Sequence, residues 1–164
     1  MDQFYLIADR YHFHLLALIQ TEDFKNDLKW MAKRLGISVV QVRTALDRLE
    51  RLGLITKDKT DLRLSSTKGI STSHDVSSGA LRKSHHQALD RATLSLDQDP
   101  VEIRDFSSIT MAIDQKKIPE AKRMIKEFRR RLCKFMETGK SGEVYELNIQ
   151  LVPVTKFQLQ KENV

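Results

Sequence analysis

The 164 residues suit one domain of ordinary size or two small ones packed together. Hydrophobic residues make up 40% and charged residues 30%, as in a soluble, helix-rich protein, and no apolar run is long enough to span a membrane. The net charge of +6 mildly favours an acidic partner such as nucleic acid, and the single Cys133, unable to form an internal disulfide, points to a reducing cytoplasm.

In chain order, residues 3–20 are expected to form a first helix. Phe4, Ile7, Ala8, Tyr11, Leu15, Leu18 and Ile19 recur at three- and four-residue steps and make one apolar stripe. Asp2, Asp9 and Arg10 interrupt that pattern, so a secretory signal is not expected here. Asp27 is placed to cap a second helix running to Leu35, with Trp30, Met31 and Leu35 inward. Gly36 suits the left-handed residue that ends a helix. Ser38 then opens a third helix, with Gln41 at capping-box spacing and Val42, Ala45, Leu46, Leu49 and Leu52 as the buried face. Gly53 stops it. Leu54–Lys57 and Leu62–Ser65 alternate like the strands of a half-exposed hairpin whose tip is Asp58–Asp61.

The Ser/Thr/Gly-rich stretch 65–79 reads as a connecting loop and domain boundary. A helix is expected from about Ser78 to Leu96, with Leu81, His85, Leu89, Ala92 and Leu96 on one side and Pro100 marking its end. Phe106–Ile113 alternates and predicts a strand. Asp114 is expected to cap a long helix to about Thr138, with Ile118, Ala121, Ile125, Phe128, Leu132 and Phe135 as its stripe. Val144–Val154 predicts a second strand, with Tyr145, Leu147, Ile149 and Leu151 on one face and Glu146, Asn148 and Gln150 on the other.

These elements predict an α+β fold: an N-terminal winged helix-turn-helix domain over residues 1–70, and a small helix–strand–helix–strand domain over 71–164. Two strands are too few for a stable sheet, so a homodimer is expected, with the second domain, a dimerisation or sensor domain, carrying most of the interface.

In a winged helix, side chains near the start of the third helix meet base edges in the major groove. The candidates are Ser38, Val39, Val40, Gln41, Arg43 and Thr44. Arg43 has the fork for guanine O6 and N7, Gln41 the amide for adenine, and Val39 or Val40 an apolar surface for a thymine methyl. Lys33, Arg34, Lys57, Lys59 and Arg63 are placed to hold phosphates. Against this, Asp47, Glu50, Asp58 and Asp61 would repel phosphate. The most basic stretch lies elsewhere: Lys116 to Lys134 carries nine basic residues against Glu120 and Glu127. It is either a solvated helix face or a second nucleic-acid contact.

Ser77, Ser78, Arg82 and His85 could accept an anion at a helix start, or simply form a cap with solvated neighbours. His74, His85, His86 and Cys133 lack metal-site spacing, and adjacent histidines on a helix diverge by roughly 100°. No nucleophile–base pair or phosphate-cradling loop is recognisable, so neither an enzyme nor a cofactor is expected.

The segments Tyr11–Phe24, Arg34–Ser38, Leu46–Ile55, Ala80–Leu89, Arg104–Ile113 and Val144–Thr155 together resemble a family of uncharacterised bacterial proteins expanded in predatory bacteria and their relatives. Its members are described as candidate transcriptional regulators. The resemblance covers nearly the whole chain and is most specific in RDFSSITMAI and VYELNIQLVPVT. It implies a winged helix joined to a small α/β domain, with no catalytic residues and no known ligand. Val152 stands where the family commonly has Phe. Members often begin with a further helical region, so the resemblance makes this chain a short member or part of a longer one.

The leading expectation is a cytoplasmic, homodimeric regulator that binds double-stranded DNA. The alternative is a protein-interaction adaptor whose winged helix is a scaffold. A small-molecule sensor is a third, weaker expectation.

Overall fold

The computed structural model describes residues 1–58, 61–65 and 78–156, with Ser78 described by its backbone alone. The first apolar stripe is split between two helices, Asp2–Ala8 (α1) and Tyr11–Leu18 (α2), rather than carried by one helix over 3–20. The chain turns at Asp9, whose φ of −110° and ψ of 97° are extended. Distant polar partners hold this break. Asp9 Oδ1 accepts from Lys83 Nζ at 2.6 Å, and the Arg10 amide donates to Gln87 Oε1 at 3.0 Å. Backbone groups that a continuous helix would satisfy internally are satisfied here from another element.

The next three elements follow local signals. Asp27 accepts from the Trp30 amide at 2.6 Å and opens α3 (Leu28–Leu35). Gly36 ends it at φ +65°, where a side chain would strain the backbone. Ser38 opens α4 (Val39–Arg51) with a complete capping box: its hydroxyl accepts from the Gln41 amide at 3.1 Å, and Gln41 Oε1 accepts from the Ser38 amide at 2.9 Å. Gly53, at φ +68°, then turns the chain into β1 (Ile55–Lys57), which pairs antiparallel with β2 (Leu62–Leu64). Ile55 lies opposite Leu64 and Lys57 opposite Leu62.

One cluster of buried side chains binds these elements together. It comprises Leu6, Leu15 and Leu18 from the first two helices, Met31 and Ala32 from α3, Val42, Ala45, Leu46 and Leu49 from α4, and Ile55 and Leu62 from the hairpin. Each fully buried leucine in it contributes roughly 1.5–3 kcal/mol.

Helix α5 (Ser78–Gln98) packs on α1, but not through its leucines. Ala80, Ser84 and Ala88, spaced by four, are the buried face, and small side chains let the helix approach Ile7 and Ala8 closely. Leu81, His85, Leu89 and Leu96, expected to share one face, are exposed. The expected domain boundary at 70/71 lies outside the described residues.

Beyond α5 the chain makes a turn of 3-10 helix at Val101–Ile103 and a second at Gln115–Lys117, then α6 (Ile118–Met136). Asp114 caps the second turn, accepting from the Lys116 amide at 3.0 Å, rather than opening a continuous helix. The expected strands Phe106–Ile113 and Val144–Val154 join no sheet within the chain. Their alternation is present, but a strand needs a neighbour's ladder of hydrogen bonds, and one copy brings neither segment beside a partner. The described residues are thus α+β, mostly helical, with one two-stranded sheet. No described helix is long and apolar enough to cross a membrane.

Candidate nucleic-acid interface

Helix α4 lies with one face on the core and the other outward. Val42, Ala45, Leu46 and Leu49 hold it down, and the capping box fixes its first turn. Val40, Gln41, Arg43 and Thr44 are exposed, Val40 to 73%, while Val39 turns partly back onto the core. Ser38 is exposed but occupied, since its hydroxyl and the Gln41 carbonyl oxygen serve the cap. The Gln41 amide nitrogen makes no bond to a described residue.

The positive charges along α4 divide by position. Arg43, near its start, has no ion pair with a described residue. At the other end, Arg48 and Arg51 are tethered to α1. Arg48 Nε donates to Asp2 Oδ1 at 3.2 Å and Arg51 Nε to Asp2 Oδ2 at 2.9 Å, and the Arg48 guanidinium sits 4.8 Å over the Tyr5 ring. The Arg51 hydrogen bond, aided by Arg48, holds the Asp2 carboxyl at about 2. One end of α4 is neutralised within the molecule, while the other faces outward with a cation that no described residue pairs.

The phosphate-holding set divides similarly. Lys33 and Lys57 are exposed and make no ion pair with a described residue. Lys59 lies outside the described residues. Arg63 pairs with Asp61, two residues earlier on the same arm of the hairpin. Arg34 is engaged by the C-terminal part of the chain. Its Nη2 donates to the Gly142 carbonyl at 3.0 Å and lies 3.2 Å from Glu143 Oε2, and its guanidinium sits 5.6 Å from the Trp30 ring. Three contacts within the chain thus engage its guanidinium.

The anion site expected at the start of α5 is only partly described. Ser77 and the Ser78 side chain lie outside the described residues. Arg82 and His85 line an open groove with Leu81, His86 and Leu89, all from the same helix. A depression furnished by one helix face offers no convergence of polar groups from several directions. Among the described residues no three His, Cys, Asp or Glu side chains gather closely enough to hold a metal ion. On α6, Lys122, Lys126, Arg129, Arg130 and Lys134 are exposed, while Arg123 pairs with Glu120 and Glu127.

The sequence pattern did not single out the polar network beneath this face. His12 is fully buried. Its Nδ1 is 2.7 Å from the Asp9 carbonyl, which can only accept, and its Nε2 is 2.9 Å from Arg48 Nη1, which can only donate. The ring is therefore neutral, with its proton on Nδ1. Nearby, Arg10 pairs with Glu146, and His14 Nε2 lies 3.7 Å from the same carboxylate. The Glu22 amide donates to the Ser141 carbonyl at 2.9 Å, and Val144 packs against the main core. Residues 141–146 therefore form a strap lashed to the body that carries α4. The one sequence signal for this network was a histidine inside an apolar stripe; its partners lie up to 136 positions away.

A family model described as a domain of unknown function, DUF4423, matches residues 1–154. The chain belongs to the DUF4423 family. No curated protein and no solved structure matches it significantly. The match extends over both the body around α4 and the strap, so family membership encompasses the two regions together.

Proposed function

We propose that residues 1–65 form a winged helix and that the protein is a homodimeric, DNA-binding transcriptional regulator. The carrying observation is the outward start of α4, where Val40, Gln41, Arg43 and Thr44 project from a helix fixed by its cap and buried face, with Arg43 in no ion pair with a described residue. Rigid support of this kind favours base readout, because a bidentate arginine–guanine contact needs a defined approach. Lys33 and Lys57 flank α4 as phosphate contacts, with β1 and β2 as the wing.

Selection from random-sequence duplex DNA at two salt concentrations tests this reading. The expected result is an enriched, palindromic motif whose binding weakens steeply with salt. Arg43→Ala should weaken binding to that motif by about 1–3 kcal/mol and relax preference at one position. No enrichment, or unchanged affinity and preference in the variant, would remove the assignment.

One observation favours the second reading, a protein-interaction adaptor. Arg34, Arg48, Arg51 and Arg63 all spend their charge on carboxylates within the chain, leaving a smaller positive surface than the sequence suggests. If selection yields no motif, a search for protein partners follows.

A further inference from the structure

The C-terminal part of the chain is arranged inside out for a solitary molecule. Along 144–149, Val144, Glu146 and Asn148 turn partly inward, while Tyr145, Leu147 and Ile149 are exposed, and Leu151 continues the outward apolar row. Ile109, Met111 and Ile113 make a second exposed row in the segment Phe106–Ile113. Helix α6 carries a regular apolar stripe yet buries no residue: Phe128 is 45% and Phe135 70% exposed. Among the described residues, twenty large apolar side chains between Leu81 and Val154 are exposed.

The area is of the size that a stable dimer covers. The chain exposes 13693 Å². A compact monomer of 19.0 kDa exposes about 8,400 Å². The difference is on the order of 5,000 Å², and half of it would match the contribution of one subunit to a large obligate dimer interface. Residues outside the described set contribute to the total, but the exposed apolar rows lie within it. Hydrogen bonding points the same way. Phe106–Ile113 and Val144–Val154 alternate in sequence like strands and pair with none of the described strands, and a second copy would raise two unpaired strands to four, enough for a sheet with an apolar face.

We infer that two copies of this chain interlock through their C-terminal parts, with Phe106–Ile113 and Val144–Val154 of each pairing edge to edge with those of the other, and α6 packing over the shared apolar face. Two such copies would meet through the same patch on each, as a two-fold interface requires. The strap then has two sides. Its inner side grips the body through Glu146, Glu143 and the Gly142 and Ser141 carbonyls, and its outer side is the dimer seam. Dimerisation therefore fixes the orientation of the two α4 helices relative to each other. This deepens the dimer half of the proposed function and does not depend on DNA binding.

Light scattering on the full chain should give twice the 19.0 kDa chain mass at micromolar concentration. Hydrogen exchange should find the amides of 106–113 and 144–154 protected, although a single copy offers them no ladder. Leu147→Asp should return the mass to that of one chain, with Trp30 fluorescence unchanged because the Leu147 side chain is exposed and not among those packed on the main core. A monomeric wild type, or a dimer whose 106–113 and 144–154 amides exchange freely, would overturn the inference. So would a dimer that persists in a folded Leu147→Asp. If that variant fails to fold, mass and exchange of the wild type decide. A protected dimer that selects no DNA would leave this interface standing and remove only the DNA reading.

Discussion

The two ends of this molecule use similar materials with opposite results. In the N-terminal body, amphipathic helices and a hairpin turn their apolar faces toward one another, and Leu15, Met31, Leu46 and Leu49 are almost wholly buried. From α5 onward, equally regular stripes face outward. What differs is whether the described residues of the same chain supply a complementary face. An amphipathic pattern specifies which side must be buried but not what will bury it.

Three changes would break or sharpen this contrast. The largest effect is expected inside the body. Leu49→Ala should cost about 2–5 kcal/mol in chemical denaturation, since a fully buried side chain leaves a cavity. If the contrast holds, Leu147→Asp separates dissociation from unfolding, whereas Leu49→Ala does not. The cap of α4 comes next. Ser38→Ala should lower stability by about 1 kcal/mol, and Ser38→Asn should restore most of it. Equal stability of all three would mean that packing alone holds the first turn.

The smallest effect concerns pH. Burial is the main influence lowering the pKa of His12, with the Arg48 charge adding to it against the Asp9 carbonyl; His14 is lowered by burial and then by Arg10 and Arg91. Above about pH 6.5 both rings are neutral in the folded and unfolded chain, and this contribution to stability is intact. As pH falls below that value the unfolded chain takes up protons that the folded chain resists, so stability declines until the lowered folded-state values are passed. Denaturation midpoints measured from about pH 7.5 down to about pH 5.5 should fall, and less so in His12→Gln. A midpoint that is flat, or rises toward acid, would show that neither ring is buried as described.

Local signals were legible in the sequence. Asp27, Gly36, Ser38 with Gln41, and Gly53 mark helix ends through partners within a few residues, and each is found in its expected role. The apolar faces of α3, α4 and the hairpin were legible for the same reason. The break at Asp9 was not, because Lys83 and Gln87 hold it from more than seventy positions away. The buried face of α5 was misassigned because size favours leucine as a core residue, whereas close helix contact selects Ala80, Ser84 and Ala88. Within the candidate interface the exposed start of α4 was readable from periodicity, but the capture of Arg34 by Gly142 and Glu143 was not. Nothing in local spacing distinguishes a free arginine from one claimed by a distant carboxylate.

The strap bears on the order in which the chain acquires structure. Contacts that close the main core join residues within the first 62 positions, whereas Arg10 waits for Glu146 and Arg34 for Gly142. Short loops close at lower entropic cost than long ones, and a chain emerges from the ribosome N-terminus first. The body around α4 is therefore expected to form during synthesis, before the strap has been made. Stalled nascent chains ending near residue 100 should already resist protease across residues 1–65, and full susceptibility there would refute that order. The body around α4 would then exist in every newly made copy, and in the proposed dimer its alignment with a second would be a later event set by how many copies the cell has produced.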